Sequence, residues 1–128
     1  MDSKTTVQQI RKWCAKVRND RNWHPDARGL AISISLEAAE ILEHFQFKES
    51  AEVEEKVKKD KNKKDEISKE IGDVVNYLCE LADRLDIDIS ESVKKTLDKV
   101  VKKYPVEGLK KGGDKFYFAQ KKKYRQNK

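Results

Sequence analysis

Apolar residues recur at spacings of three and four along four segments of the chain, residues 5–22, 26–45, 65–85 and 89–104. Such spacing places the apolar side chains on one stripe of an α-helix. Only five Gly and two Pro occur in 128 residues, whereas a β-sandwich or barrel needs frequent turn residues. We therefore predict an all-α protein that resembles a four-helix bundle, with antiparallel neighbours where the connections are short.

Local signals mark where these helices begin and end. Pro25 breaks the first helix, because the residue before a proline is driven out of helical geometry. Asp26 is a suitable cap for the second helix, and Asp88 with Glu91 forms a capping-box start for the fourth, which Pro105 ends. Residues 48–66 are mostly charged, and this predicts an exposed connection or lid with at most one or two helical turns.

The net charge of +6 is concentrated near the C-terminal end. Residues 102–128 contain ten Lys and Arg against two acidic residues, a net charge of +8, which leaves −2 for residues 1–101. A nucleic-acid-binding module more often carries its basic face on the folded body. We expect a helical domain over residues 1–106 and a solvated, partly disordered basic tail over residues 107–128, the one segment that could contact RNA.

The composition also bears on the cellular compartment. The longest stretch without a charge, residues 29–36, is far shorter than the ~20 apolar residues that cross a bilayer. The first residues lack the apolar region of a signal peptide. Cys14 and Cys79 lie inside amphipathic segments without a CxxC partner, so we expect buried free thiols. Together these features predict a soluble, cytoplasmic protein with no membrane partner.

Two pairs of acidic residues lie at or near the apolar sides of two predicted helices. Glu37 lies at the apolar side of the second helix beside Ile41, with Glu40 three residues later. Glu70 lies within the apolar arc of the third helix, and Asp73 lies at its edge. A buried carboxylate costs several kcal/mol unless a positive charge compensates it. The four acids together favour a site for a hard cation, with Mg²⁺ as the default, although rim acids paired with Lys or Arg are the alternative.

Other chemistries are excluded by their motifs. A di-iron bundle needs Glu-x-x-His, but the residue three before His44 is Ile41, and His24 lies in the break at Pro25. The chain has no GxxxxGK[ST] sequence, so it has no P-loop. Neither cysteine has a context that activates a thiolate, and a water activated by metal suffices as nucleophile.

Four stretches resemble the MazG-like all-α nucleotide pyrophosphatases, a superfamily that includes dCTP pyrophosphatases. They are LEAAEILEHFQFK, EIGDVVNYL, DIDISESV and KKYPVE, and the resemblance covers about residues 21–107. It implies Mg²⁺-dependent hydrolysis of a nucleoside triphosphate to a monophosphate and pyrophosphate, in nucleotide-pool house-cleaning, by a homodimer or tetramer. It also implies that the acids of the Glu-x-x-Glu and Glu-x-x-Asp pairs are the metal ligands and catalytic residues, namely Glu37, Glu40, Glu70 and Asp73.

The resemblance further implies contacts with the substrate, for which pyrimidine deoxynucleotides are the first candidates. Aromatic side chains are expected near the base or sugar, and basic groups near the phosphates; these residues are Trp23, Phe47, Tyr77, His24, Arg28 and Lys99. Thr96 and Val100 stand where relatives commonly have Lys and Asn linked with phosphate binding. That departure keeps a second hypothesis open, a non-catalytic nucleotide sensor or RNA-associated module.

Overall fold

The computed structural model describes residues 1–126, and these form six α-helices without a strand. The helices are α1 (Val7–Asp20), α2 (Ala27–Glu43), α3 (Ser50–Lys59), α4 (Lys61–Arg84), α5 (Ile89–Lys103) and α6 (Val106–Gln126). The predicted all-α class is confirmed. The four predicted helices correspond to α1, α2, α4 and α5, with ends that differ by a few residues.

The predicted caps hold the starts of α2 and α5. Oδ1 of Asp26 accepts a hydrogen bond of 2.7 Å from the backbone N–H of Gly29. Oδ1 of Asp88 accepts one of 2.8 Å from the backbone N–H of Glu91. Each bond satisfies one of the N–H groups that a helix leaves without a partner in its first turn.

The segment over residues 48–66 is mostly exposed, as expected, but it is largely helical, so the expectation of at most one or two helical turns is wrong. It contains α3, and α4 begins at Lys61 rather than near Asp65. Val53 is buried, and α3 packs against α4, so one apolar side chain anchors the charged segment. Glu55 pairs with the lysines three and four residues later, which adds local support.

The expectation of a partly disordered tail is also wrong for residues 107–126, which lie in α6; residues 127–128 lie outside the described part. The helix kinks at Gly113, whose φ of 51° is a conformation that glycine adopts without strain. Tyr117 stacks on Tyr104 with ring centroids 4.8 Å apart, and Nε2 of Gln120 donates to the carbonyl of Lys103 at 2.9 Å. Aromatic contacts thus fold a segment whose lysines suggested a solvated end. The domain boundary at residues 106 and 107 stays a prediction.

The described chain divides into two compact units, residues 1–87 and residues 88–126. In the first unit α4 is central: it packs most extensively on α2 and also contacts α1 and α3. Leu30 of α2 is fully buried, and Cys79 and Ala82 of α4 are buried with it. In the second unit α5 packs on α6. Among residues 1–126 no helix combines the length and apolar content needed to cross a membrane.

Candidate active site

The four predicted acids meet where α2 and α4 pack together. Glu37 and Glu40 lie one turn apart on α2, and Glu70 and Asp73 lie one turn apart on α4. Partial burial raises the pKa of Glu37 above its usual value. The negative charges of three neighbours raise this pKa further, those of Glu40, Asp73 and Glu70. The structure therefore brings the two pairs into one electrostatic cluster, as their positions on the helices predict.

A buried histidine joins this cluster. His44, which is 8% exposed, follows α2 directly, and its Nε2 lies 2.6 Å from Oε2 of Glu70. That oxygen is buried and receives no well-directed hydrogen bond from any residue between 1 and 126. The sequence analysis used His44 only to exclude a di-iron site. Its position four residues after Glu40 and seven after Glu37 is a helical spacing that could have placed it with the acids.

The alternative of acids paired with basic side chains is not what the described residues show. Among residues 1–126 no Lys or Arg forms an ion pair with the four carboxylates, and His44 is the one basic side chain in contact with them. Like charges gathered in this way, with a buried oxygen on Glu70, form a donor set that suits a hard cation.

The side chains are nevertheless not closed around a single point. No three His, Cys, Asp or Glu side chains in the described span are arranged so that they could hold one metal ion as they stand. Glu side chains rotate about three bonds and Asp side chains about two, so closing the four carboxylates on an ion requires new rotamers. The chemistry of the donor set therefore fits a divalent cation, while coordination depends on side-chain movement.

A pocket of about 510 Å³ opens beside the acids. Ser33, one turn before Glu37 on α2, and Tyr77, one turn after Asp73 on α4, both line it. Because one helical turn rises about 5.4 Å, the pocket begins a single turn from the carboxylates. Its other lining residues come from α1, from α4 and from the loop before α2: Cys14, Val17, Arg18, Asn22, Trp23, His24, Pro25, Asn76 and Glu80. The predicted substrate contacts Trp23, His24 and Tyr77 thus share one cavity.

Charged side chains that were not predicted from the sequence join α1 to α4. Two of them, Arg18 and Glu80, line this pocket. Nε of Arg11 donates to Oδ1 of Asp83 at 2.9 Å, and Arg18 pairs with the other oxygen of Asp83. Burial acts to raise the pKa of Asp83, but the hydrogen bonds and charges of the two arginines outweigh it, and the pKa is lowered. Glu80 is 9% exposed and lies 3.9 Å from Nε of Arg18.

Three predicted substrate contacts lie away from this pocket. Arg28 lines a separate surface groove of α2 together with Ile32 and Leu36. Phe47 follows α2 with a φ of 59° and is 98% exposed. Lys99 is exposed on α5 in the second unit. The roles of these three residues stay predictions.

Comparisons with known proteins agree with this fold. The model of the MazG-like family matches residues 32–116. The dCTP pyrophosphatase 1 of Rattus norvegicus is 30% identical over 103 residues, and that of Mus musculus is 29% identical over 103. Each match covers 79% of this chain, which spans about 60% of the length of these curated relatives. The crystal structure of a pyrophosphatase from Archaeoglobus fulgidus superposes with a TM-score of 0.68 at 36% identity, over 77% of this chain and 92% of that one.

Proposed function

This chain belongs to the MazG-like family, and we propose on that basis that it is a nucleoside triphosphate pyrophosphohydrolase. It would convert a (d)NTP and water to a (d)NMP and pyrophosphate. The names of its relatives, dCTP pyrophosphatase and pyrophosphatase, support this reaction. The observation that carries the proposal is the cluster of Glu37, Glu40, Glu70 and Asp73, which gathers four carboxylates with no Lys or Arg partner from residues 1–126, beside a pocket of nucleotide size.

Mg²⁺ is the cofactor that we propose for this cluster. A triphosphate carries close to four negative charges, and bound Mg²⁺ would neutralise charge on its bridging and leaving oxygens. Glu37, Glu40, Glu70 and Asp73 would hold the ion through carboxylate oxygens. One of the four carboxylates would orient the attacking water, and His44 would hold Glu70 in place through the contact between its Nε2 and Oε2.

The pocket is where the nucleoside would bind. Trp23 and Tyr77 offer aromatic surface for a base or sugar, and His24 adds a polar group at the same rim. The name of the relatives favours a pyrimidine deoxynucleotide. We further propose that Phe47, Arg28 and Lys99 contact the substrate or a second subunit, because all three are exposed and available for such contacts.

Self-association into a homodimer or tetramer is part of the proposal. Exposed apolar side chains recur at helical spacing on single faces of α2, α4 and α5, such as Ile32 and Leu36, or Ile71, Val75 and Leu78. Contiguous exposed apolar faces of this kind usually mark surfaces at which another protein binds. A second copy that covers them would also enclose the open side of the acid cluster. We place the protein in the cytoplasm, where its nucleotide substrates are found.

A substrate panel tests the proposal. Purified protein is incubated with each NTP and dNTP plus Mg²⁺, and the released pyrophosphate is measured. We expect release from at least one pyrimidine deoxynucleotide. Loss of a group that hydrogen-bonds to a metal ligand lowers activity by ~10–100-fold. Glu70→Gln alters a proposed ligand itself, so it should lower the rate by more than that, with the fold retained.

A matched control separates charge from position. Glu55→Gln removes the same charge from the exposed surface of α3 and should leave the rate unchanged. Binding of nucleotide without release of pyrophosphate from any of them would refute the enzyme and favour a nucleotide sensor. A wild-type rate in Glu70→Gln would mean that this carboxylate is structural.

A further inference from the structure

An acidic side chain, Glu80, and a basic side chain, Arg18, line the nucleoside pocket with polar atoms that form no hydrogen bond. Glu80 is 9% exposed, and no residue between 1 and 126 donates a hydrogen bond to its carboxylate. Its contact with Arg18 is an ion pair at 3.9 Å, too long for a hydrogen bond. Nη1 of Arg18 is buried and has no partner among the described residues. Buried polar atoms are rarely left in this state, so each such case requires an explanation.

The neighbouring ion pairs do not supply that explanation. Asp83 already accepts from Arg11 and from Nη2 of Arg18, and it holds α1 against α4 without help from Glu80. An ion pair that served only the fold would bring Glu80 and Arg18 to hydrogen-bond distance and use Nη1. Instead, Glu80 and Arg18 both line the wall of a cavity, and Nη1 of Arg18 has no partner among the described residues.

The position of this pair suits the far end of a bound nucleotide. Glu80 lies seven residues after Asp73 and three after Tyr77 on α4, so all three lie on one side of the helix. Seven residues correspond to about 10 Å of helix. A sugar and the first phosphate would lie along that distance, with the base beyond them and the phosphates at the acid cluster.

We infer that Glu80 and Arg18 read the edge of the base and select cytosine over uracil. The carboxylate of Glu80 accepts from the exocyclic N4 amino group, which is the pairing that acidic side chains make with cytosine. Nη1 of Arg18 donates to N3 of the ring. Uracil presents a carbonyl oxygen and an N–H at these two positions, so it would place acceptor against acceptor and donor against donor. This inference rests on the proposed function.

The paired substrates dCTP and dUTP test it, because they differ only at this edge. For the wild-type protein we expect kcat/KM for dCTP to exceed that for dUTP by roughly 10–100-fold. Glu80→Gln offers both an acceptor and a donor, so the preference should fall about tenfold or more. The loss should come mainly from KM, because Glu80 lies away from the acid cluster. Glu66→Gln, on the exposed side of the same helix, is the control and should keep the preference.

A second measurement needs no variant and covers the case in which Glu80→Gln fails to fold. A 2-pyrimidinone deoxynucleoside triphosphate lacks the amino group, and the wild-type protein should use it with a KM at least about tenfold above that for dCTP. Equal kcat/KM for dCTP and dUTP would overturn the inference and leave the pyrophosphohydrolase intact. An unchanged preference in folded Glu80→Gln would overturn it too. Failure of every nucleotide to release pyrophosphate would instead refute the proposed function.

Discussion

Nε2 of His44, the residue that follows α2, lies 2.6 Å from Oε2 of Glu70 in the first half of α4. Ser33, earlier on α2, shares a pocket with Tyr77, later on α4, so the two levels together show that the helices run antiparallel. The same register places Ser33 and Tyr77 in one pocket, and between these two levels it places the acid pairs opposite each other. Several effects of substitutions are expected from this register and from the charges that it brings close together.

His44 is expected to orient Glu70 for metal binding. His44→Ala removes the contact and should weaken Mg²⁺ binding by about 10–100-fold, because partners of metal-ligating carboxylates have effects of this size. His44→Gln keeps a side-chain N–H donor and should recover part of that loss. Titration of Mg²⁺ by calorimetry measures both variants. Equal affinity in the wild type and His44→Ala would mean that the histidine only packs.

Repulsion among the acids should destabilise the protein when no divalent cation is present. Since the pKa of Glu37 is raised, its proton is bound more tightly in the folded state; the resulting stability is present below the usual pKa of 4.5 and is lost as pH rises through the raised pKa. Glu37→Gln should therefore raise the Tm at pH 7 in EDTA, by roughly 2–5 °C. Thermal melts with and without Mg²⁺ check this. The variant should also lose the stabilisation that Mg²⁺ provides to the wild type, and an unchanged Mg²⁺ effect would contradict the proposed ligand.

Asp83 should stabilise the packing of α1 on α4. Asp83→Asn leaves Arg11 and Arg18 without their shared partner and should lower the free energy of unfolding by roughly 1–3 kcal/mol, less than for a fully buried pair because Asp83 is partly exposed. The pKa of Asp83 is lowered, so its contribution is present above the usual pKa of 3.8 and is lost as pH falls through the lowered pKa. Urea unfolding at pH 7 and pH 3 measures the difference. Asp65→Asn, at an exposed pair on α4, is the control, and equal effects of the two substitutions would contradict this assignment.

Cys79 should be an unreactive thiol. Burial, together with a smaller contribution from the nearby Cys14, raises its pKa to about 11. At pH 8 a thiol with that pKa has about 100-fold less thiolate than a thiol with the usual pKa of 9.0. In a Cys14→Ser variant, alkylation by iodoacetamide should be slow until the protein is unfolded, as mass spectrometry can follow. Rapid labelling of the native variant would show that this part of α4 opens readily.

The exposed apolar face of α2 should mediate self-association. Leu36→Glu places a charge in that face and should shift the protein to smaller species in size-exclusion chromatography with light scattering. Ser50→Glu adds the same charge to the exposed first turn of α3 and should leave the mass unchanged. A wild-type protein that is monomeric at all concentrations would refute the proposed oligomer.

The sequence anticipated more of the helices than of the segments between and after them. Asp26 and Asp88 mark the starts of α2 and α5, because capping depends on residues within one turn. The charged segment around Val53 and the lysine-rich end were misjudged, because their composition suggested solvation. Both are helical, since a few apolar and aromatic contacts, such as Tyr104 with Tyr117, decide the outcome.

The amino-acid sequence by itself determined the all-α class, the main helices and the conflict between acidic chemistry and apolar position at Glu37 and Glu70. These are local properties, read from periodicity and from residues within a few turns. Only the tertiary structure decided that His44 contacts Glu70 and that Arg18 lies beside Glu80. Such contacts join helices far apart in the chain, and their register is set by how whole helix faces pack, which no local pattern encodes.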